Sequence, residues 1–142
     1  DLIDSMRHHG LVGMAAPQVG KNVRIFVTEI RKTKFRTSEV VNGELRIYIN
    51  PTIIAASKKM VSGWEGCGSV ASANLFGRVK RSVAVTIEAF DERGDKFQFK
   101  ATDLLARVIQ HEMDHLNGIV FTDTADPKTY MSRNEYLAMK LK

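Results

Sequence analysis

The segment at positions 111–115, His-Glu-Met-Asp-His, constrains this sequence more than any other feature. Residues four positions apart lie on the same face of a helix, so the imidazoles of His111 and His115 would point in one direction. The carboxylate of Glu112 would lie beside them. This arrangement holds a metal ion next to a general base, and the segment therefore predicts a metal-dependent hydrolytic site.

The residues around this segment predict the helix itself. Leu104 and Val108 continue the line of the two histidines at helical spacing, so the histidines belong to an apolar stripe that faces the interior. Thr102 or Asp103 can cap the start of the helix, and Gly118 is the expected stop signal after its last turn. We therefore expect a half-buried helix that ends just before Gly118.

Two histidines form an incomplete site, because a catalytic centre of this kind generally takes three protein ligands. Cys67, the only cysteine, and Glu135 are the two candidates for the third. Glu135 stands where a third ligand would lie in thermolysin-like metalloproteases, but its polar surroundings are more typical of an exposed helix carboxylate. Cys67 lies between Gly66 and Gly68, which allow the backbone to come close to whatever the sulfur binds. The two candidates predict different enzymes.

Three segments of the chain are similar to the signature motifs of the peptide deformylases. In chain order they are Gly13-Met14-Ala15-Ala16-Pro17-Gln18, Glu65-Gly66-Cys67-Gly68-Ser69 and His111-Glu112-Met113-Asp114-His115-Leu116-Asn117-Gly118. The intervening chain is also similar, with Asn50-Pro51 closing a strand, so the resemblance covers nearly all of the sequence. It implies an α+β fold, with mixed or antiparallel β-sheets packed around a central metal-binding helix. It also implies removal of the formyl group from the N-terminal formylmethionine of nascent polypeptides.

The resemblance implies a role for each motif residue at the metal. Cys67, His111 and His115 would be the metal ligands, and Glu112 would be the general base and acid. The site would hold one divalent metal ion. Fe²⁺ is the expected native metal, while Zn²⁺, Ni²⁺ or Co²⁺ can occupy the same ligand set.

The resemblance also implies which residues contact the substrate. The side-chain amide of Gln18 and the backbone N–H of Gly68 would polarise the formyl oxygen. Gly13, Met14 and Glu65 would belong to the substrate-binding site.

The chain departs from the family pattern close to the metal ligands. Gly68 stands where leucine usually follows the cysteine, Leu11 stands where the first motif usually begins with glycine, and residues 70–73 lack the usual proline. Glycine is more flexible than leucine and removes an apolar side chain beside the metal. Altered acyl specificity or low activity is therefore an alternative to ordinary deformylation. A metalloprotease that uses Glu135 and a noncatalytic descendant are further alternatives.

Composition and charge set broader expectations. We expect residues 1–142 to form a single catalytic domain, with a further N-terminal segment preceding Asp1. The formal net charge of +5 and the basic segment 31–36 suggest contact with the ribosome, and no motif indicates DNA or membrane binding. One cysteine excludes an internal disulfide, which suits a reducing compartment. We expect a monomer in the bacterial cytoplasm or in an organelle of bacterial descent.

The remaining sequence predicts strands. Residues 23–30 and 46–49 have strand composition. Val83, Val85, Ile87 and Ala89 alternate with mostly more polar residues before the turn at residues 91–94. This pattern predicts a hairpin with one buried face.

Overall fold

A computed structural model describes residues 1–33, 36 and 43–142. Within this part of the chain there are eight strands and three α-helices, together with short 3₁₀ turns. In chain order they are α1 (Leu2–His8), β1 (Gly13–Ala15), β2 (Ile25–Thr28), β3 (Arg46–Ala56), β4 (Met60–Gly66), β5 (Leu75–Ser82), β6 (Ala84–Phe90), β7 (Lys96–Thr102), α2 (Asp103–Leu116), β8 (Asp126–Ser132) and α3 (Arg133–Lys140).

The strands form two antiparallel sheets that share α2. One sheet has the order β1-β2-β3-β6-β7, and the other has the order β4-β5-β8. Helix α2 contacts β1, β2 and β7 of the first sheet and β5 of the second. The predicted α+β class is confirmed, and the fold brings both sheets to the helix that carries the two motif histidines.

Helix α2 has the predicted boundaries. It begins at Asp103 with Thr102 at the N-cap position, although the Thr102 side chain makes no capping hydrogen bond, and it ends at Leu116, two residues before Gly118 with its φ of 74°. Ile109 and Met113 pack into the main core with residues of the first sheet. The opposite side of the helix carries the motif residues toward β4 and β1.

The hairpin of β6 and β7 is confirmed. Val85, Ile87 and Ala89 are buried, as the alternating pattern predicted, whereas Val83 lies before the strand and is only half-buried and Ala84 is buried as well. The carboxylate of Asp91 accepts hydrogen bonds from the backbone N–H groups of Arg93 and Asp95, which closes the turn. This hairpin supplies one wall of the main core beneath α2.

The prediction that Asn50 and Pro51 close a strand is wrong. Strand β3 continues through both residues to Ala56. Asn50 takes a φ of 49°, and the pairing register between β3 and β6 shifts between Ile49 and Thr52. A bulge at this point accommodates Pro51, which has no N–H to donate to the ladder, without ending the strand.

Several further regions differ from the prediction. Strand β2 covers only Ile25–Thr28 of the expected residues 23–30, and β4 (Met60–Gly66), β5 (Leu75–Ser82) and β8 (Asp126–Ser132) were not predicted. Lys34 and Phe35 of the basic segment lie outside the described residues. No helix in the described part of the chain combines the length and the apolar character needed to cross a membrane.

Candidate metal centre

Three possible metal ligands converge where β4 meets α2. Cys67 follows the end of β4, while His111 and His115 lie one turn apart on α2. The Nε2 atom of His115 is 3.3 Å from Cys67 Sγ and 3.2 Å from His111 Nε2. All three ligand atoms lie within 4.8 Å of one another, which is the spacing that a single metal ion requires. The two parts of the sequence that carry these residues are therefore brought to one point.

Glu135 lies outside this group and has another role. It is in the first turn of α3, where its carboxylate accepts a hydrogen bond from the Ser132 N–H at 2.7 Å. Its own N–H donates to Ser132 Oγ at 3.2 Å. These bonds form a capping box on an exposed helix, and the Ser132 N–H lowers the pKa of the Glu135 carboxyl. Of the two candidates, the geometry brings Cys67 to the histidines.

The two histidines favour a thiolate at Cys67. Burial alone would raise the pKa of this thiol, but hydrogen bonds with His111 and His115 outweigh burial and lower the pKa to about 5. The thiolate, rather than the thiol, is the form of cysteine that binds metals. The site therefore presents Cys67 in its ligand form at neutral pH.

Glu112 is buried beside the three ligands and has one oxygen without a partner. Its Oε2 atom makes no hydrogen bond to any described residue. Burial raises the pKa of the Glu112 carboxyl to about 7. An unsatisfied buried carboxylate is costly, so the free oxygen fits a water molecule held next to it by a metal. The residues present thus fit a metal site.

A buried ionic network orients His111 from behind. The Nδ1 atom of His111 lies 2.9 Å from Glu65 Oε1. Arg81 approaches both oxygens of Glu65 at 3.1 Å, and Arg107 approaches Oε2 at 3.2 Å. Arg81 also pairs with Asp114 on α2 at 2.6 Å. The network connects β4, β5 and α2 behind the ligands.

Glu65, which the resemblance assigns to the substrate-binding site, lines the cavity beside the ligands, and its carboxylate belongs to this network. Its carboxylate is engaged by His111, Arg81 and Arg107 and is only 6% exposed. Sequence reasoning missed Arg107 as part of the site. Its position on α2, one turn before His111, was the only available signal.

Gln18 points its amide group at the segment that follows Cys67. Its Oε1 accepts a hydrogen bond from the Ala15 N–H at 2.8 Å, which fixes the direction of the side chain. Its Nε2 donates to Ser69 Oγ at 3.1 Å and lies 3.7 Å from Cys67 Sγ. Gly68 lies between these two residues and is exposed. The amide donors predicted for the formyl oxygen are thus close together.

A cavity of about 630 Å³ opens beside these residues. Gly13 and Met14 line it from β1, with Gly68 nearby and Glu112 at its base. Trp64, Phe76 and Tyr136 form an aromatic cluster along another side of the cavity. Phe76 and Tyr136 stack with their ring centroids 4.2 Å apart, and Trp64 packs edge-on against Tyr136 at 6.0 Å. The cavity is large enough for the end of a peptide.

Comparison with known proteins connects this geometry to a family. The family model for polypeptide deformylase matches residues 1–130 of the chain. The chain belongs to the polypeptide deformylase family. The resemblance of the three motifs is thereby confirmed, and as a deformylase the chain is a hydrolase that removes the formyl group from the N-terminal formylmethionine of new polypeptides.

Individual deformylases agree with this assignment. The chain is 43% identical to a peptide deformylase of Treponema pallidum over 123 residues, which are 87% of this chain and 68% of that protein. It is 42% identical to one from Microchaete diplosiphon over 126 residues, or 89% of this chain and 63% of the relative. It therefore spans about two thirds of the length of these relatives.

Solved deformylase structures share the fold. A peptide deformylase from Acinetobacter baumannii with bound Met-Ala-Ser superposes with a TM-score of 0.81 at 31% identity, covering 87% of this chain and 76% of that one. A deformylase from Synechococcus elongatus in complex with actinonin gives a TM-score of 0.77 at 32% identity, covering 89% and 64%.

Proposed function

We propose that the centre at α2 carries out deformylation with Cys67, His111 and His115 as ligands of one divalent metal ion. The observation that carries this proposal is the convergence of the three ligand atoms beside the unpartnered Oε2 of Glu112. A ligand set of one thiolate and two imidazoles suits Fe²⁺, Zn²⁺, Ni²⁺ and Co²⁺. We propose Fe²⁺ as the native metal.

The ion would supply Lewis acidity, which lowers the pKa of a water molecule toward neutrality. The protein orients the ligands for it. Because the Nδ1–H of His111 donates to Glu65, Nε2 is left as the ligand atom. Burial raises the pKa of the Glu65 carboxyl, but the hydrogen bond with His111 and the charge of Arg81 outweigh burial and lower the pKa, so the carboxylate remains an acceptor.

Glu112 then moves the proton. Its free Oε2 accepts the proton of the attacking water, and the raised pKa of the carboxyl allows the protonated form to persist near neutral pH. The same oxygen returns the proton to the nitrogen of methionine as the C–N bond to the formyl group breaks. Formate and a free amino terminus are the products.

Gln18 and Gly68 stabilise the oxygen of the formyl group. The Ala15 N–H holds Gln18 Oε1, so the Nε2 group faces the Cys67–Ser69 segment. The Gly68 backbone N–H is the second donor. Both donors are aimed at the negative charge that develops on this oxygen. Removal of either one is expected to lower the rate about 10²- to 10³-fold.

The cavity receives the formylmethionine residue and the peptide that follows it. Gly13 and Met14 provide the side of the cavity formed by β1. The aromatic cluster of Trp64, Phe76 and Tyr136 suits a methionine side chain, because thioether sulfur packs favourably against aromatic rings.

The domain organisation, partners and location of the protein form the last part of the proposal. We propose that residues 1–142 act as one catalytic domain and as a monomer on formylated nascent peptides. The net charge of +5, with Lys32 and Lys140 exposed, supports contact with ribosomal RNA, while DNA and membranes are not proposed partners. The bacterial cytoplasm or an organelle of bacterial descent is the proposed location.

Metal content tests the ligand assignment. Cys67→Ser and Glu135→Gln are purified in parallel with the wild-type protein, and bound iron, nickel and zinc are measured by mass spectrometry. Cys67→Ser is expected to lose most of its metal, because a ligand is removed, while Glu135→Gln retains it. Full metal content in Cys67→Ser would overturn the assignment.

A further inference from the structure

Leu11 is the nearest neighbour of the open position at Gly68. A β-carbon built on Gly68 would lie 3.7 Å from Leu11 Cδ1, and no other described atom outside the adjacent residues comes within 4 Å of it. Both residues line the cavity next to Cys67. The side chain of Leu11 therefore borders the space beside the Gly68 amide.

The backbone holds Leu11 in this position. Its N–H donates to the carbonyl oxygen of Met6 at 3.0 Å, and its own carbonyl oxygen accepts from Arg31 Nη2 at 3.0 Å. Arg31 is itself fixed by Glu29 at 3.0 Å. The side chain of Leu11 packs against the cluster formed by Met6, Met14 and Val27. Leu11 is thus a fixed part of the cavity wall.

We propose that Leu11 determines acyl specificity by closing the space beside the Gly68 amide, so that formyl is accepted and larger acyl groups are excluded. This inference rests on the proposed role of Gly68 as a donor to the formyl oxygen. An acetyl group differs from formyl by one methyl group, which needs room next to the carbonyl carbon. Outside the adjacent residues, Leu11 is the one described residue within 4 Å of a β-carbon at position 68, so its side chain is the closest apolar group to this room.

Two of the three departures from the family pattern are thereby connected. One apolar side chain is absent at position 68, and one is present at position 11, and the two positions are in van der Waals reach. Volume-conserving exchanges are the changes that packed sites tolerate best. The leucine at position 11 borders the space that a side chain at position 68 would enter.

The test measures kcat/KM for N-formyl-Met-Ala-Ser and N-acetyl-Met-Ala-Ser with the metal-loaded protein. Leu11→Ala is expected to lower the preference for formyl over acetyl about tenfold or more, the size of effect typical of one methyl group in a pocket. Leu45→Ala is the matched control. Leu45 packs against the same cluster but does not line the cavity, so its loss leaves the preference unchanged. An unchanged preference in Leu11→Ala would overturn the proposal.

The double variant Leu11→Gly/Gly68→Leu moves the leucine across the gap. It is expected to recover the preference for formyl that Leu11→Gly loses, and failure to recover it would contradict a shared space. If Leu11→Ala does not fold, Leu11→Val makes the smaller change, with the same direction expected.

A binding measurement separates failure of this inference from failure of the proposed function. In the metal-loaded Glu112→Gln background, calorimetry compares the affinities of the two acyl peptides with and without Leu11→Ala. The ratio of affinities is expected to shift toward the acetyl peptide even if no variant releases formate. A constant ratio in this background counts against Leu11 alone, whereas absence of formate release by the wild-type protein counts against the proposed function.

Discussion

A β-carbon on Gly13 would lie 2.8 Å from Oε1 of Glu112. It would also lie 2.7 Å from Cγ1 of Val108, so β1 and α2 approach too closely at this point for any side chain. The absence of a side chain at position 13 allows Glu112 to remain beside the metal ligands. Gly13 is a positioning residue for the proposed base as well as part of the cavity wall.

Gly13→Ala is therefore expected to displace the Glu112 carboxylate and to lower kcat for formylated peptides about tenfold or more, since an error of about 1 Å in placement has effects of this size. Steady-state kinetics with the metal-loaded variant checks this. Gly94→Ala is the control, because its φ of 83° makes alanine unfavourable in a turn remote from the site. Gly94→Ala should lose stability by about 1 kcal/mol while keeping kcat. Normal kcat in Gly13→Ala would show that the carboxylate has room to move.

Glu65→Gln tests the buried network behind His111. The change leaves Arg81 and Arg107 without their shared carboxylate and weakens the acceptor of the His111 Nδ1–H. We expect metal affinity to fall about 10- to 100-fold. We also expect the free energy of unfolding to fall by about 3 kcal/mol, in the range for broken buried pairs. Competition with a chelator and denaturant titration measure the two effects.

Glu29→Gln is the matched control for this network. Glu29 also pairs with two arginines, Arg7 and Arg31, but near the surface. Its loss is expected to cost about 1 kcal/mol or less and to leave metal affinity unchanged. Equal losses of metal affinity in the two variants would contradict a specific role for Glu65.

Tyr48 is expected to make the free energy of unfolding depend on pH in the alkaline range. Burial raises the pKa of its phenol to about 12, from an ordinary value of 10.0, although the hydrogen bond with Thr28 opposes the rise. At a pH between these two pKa values, the phenol of Tyr48 loses its proton in the unfolded chain and keeps it in the folded protein. The free energy of unfolding should therefore fall with rising pH, by about 2 to 3 kcal/mol in total.

Tyr48→Phe removes the titrating group and serves as the comparison for this pH effect. Denaturant unfolding of both proteins between pH 9 and pH 12 is expected to show the difference in stability shrinking as pH rises. A constant difference over this interval would mean that Tyr48 titrates alike in the folded and unfolded states.

Local patterns predicted the parts of the fold that depend on neighbouring residues. The helix that carries His111 and His115 and the hairpin around Asp91 each have a period and an end signal within a short stretch. Strand β3 was predicted too short because a proline usually ends a ladder, and only pairing with β6 shows that a bulge absorbs it.

The site was predictable as far as its motifs extend. Cys67 became the preferred third ligand through resemblance, while the spatial convergence with α2 required the fold. The network of Glu65 with Arg81 and Arg107 joins three elements that are distant in sequence, and no periodicity reports such contacts. The same holds for the contact between Leu11 and position 68. Residues 71–73, Ala-Ser-Ala, all have positive φ, a conformation that their residue types do not suggest.

Formate release from N-formyl-Met-Ala-Ser, measured side by side for the wild-type protein and Glu112→Gln after loading with iron, nickel or zinc, tests the central claim most directly. The amide preserves the shape of the side chain but cannot accept the proton of water, so Glu112→Gln is expected to keep its metal and to lose about 10²-fold or more in turnover. Wild-type protein should release formate with at least one of the three metals. Formate release by Glu112→Gln at the wild-type rate, or none from the wild-type protein with any of these metals, would contradict the account.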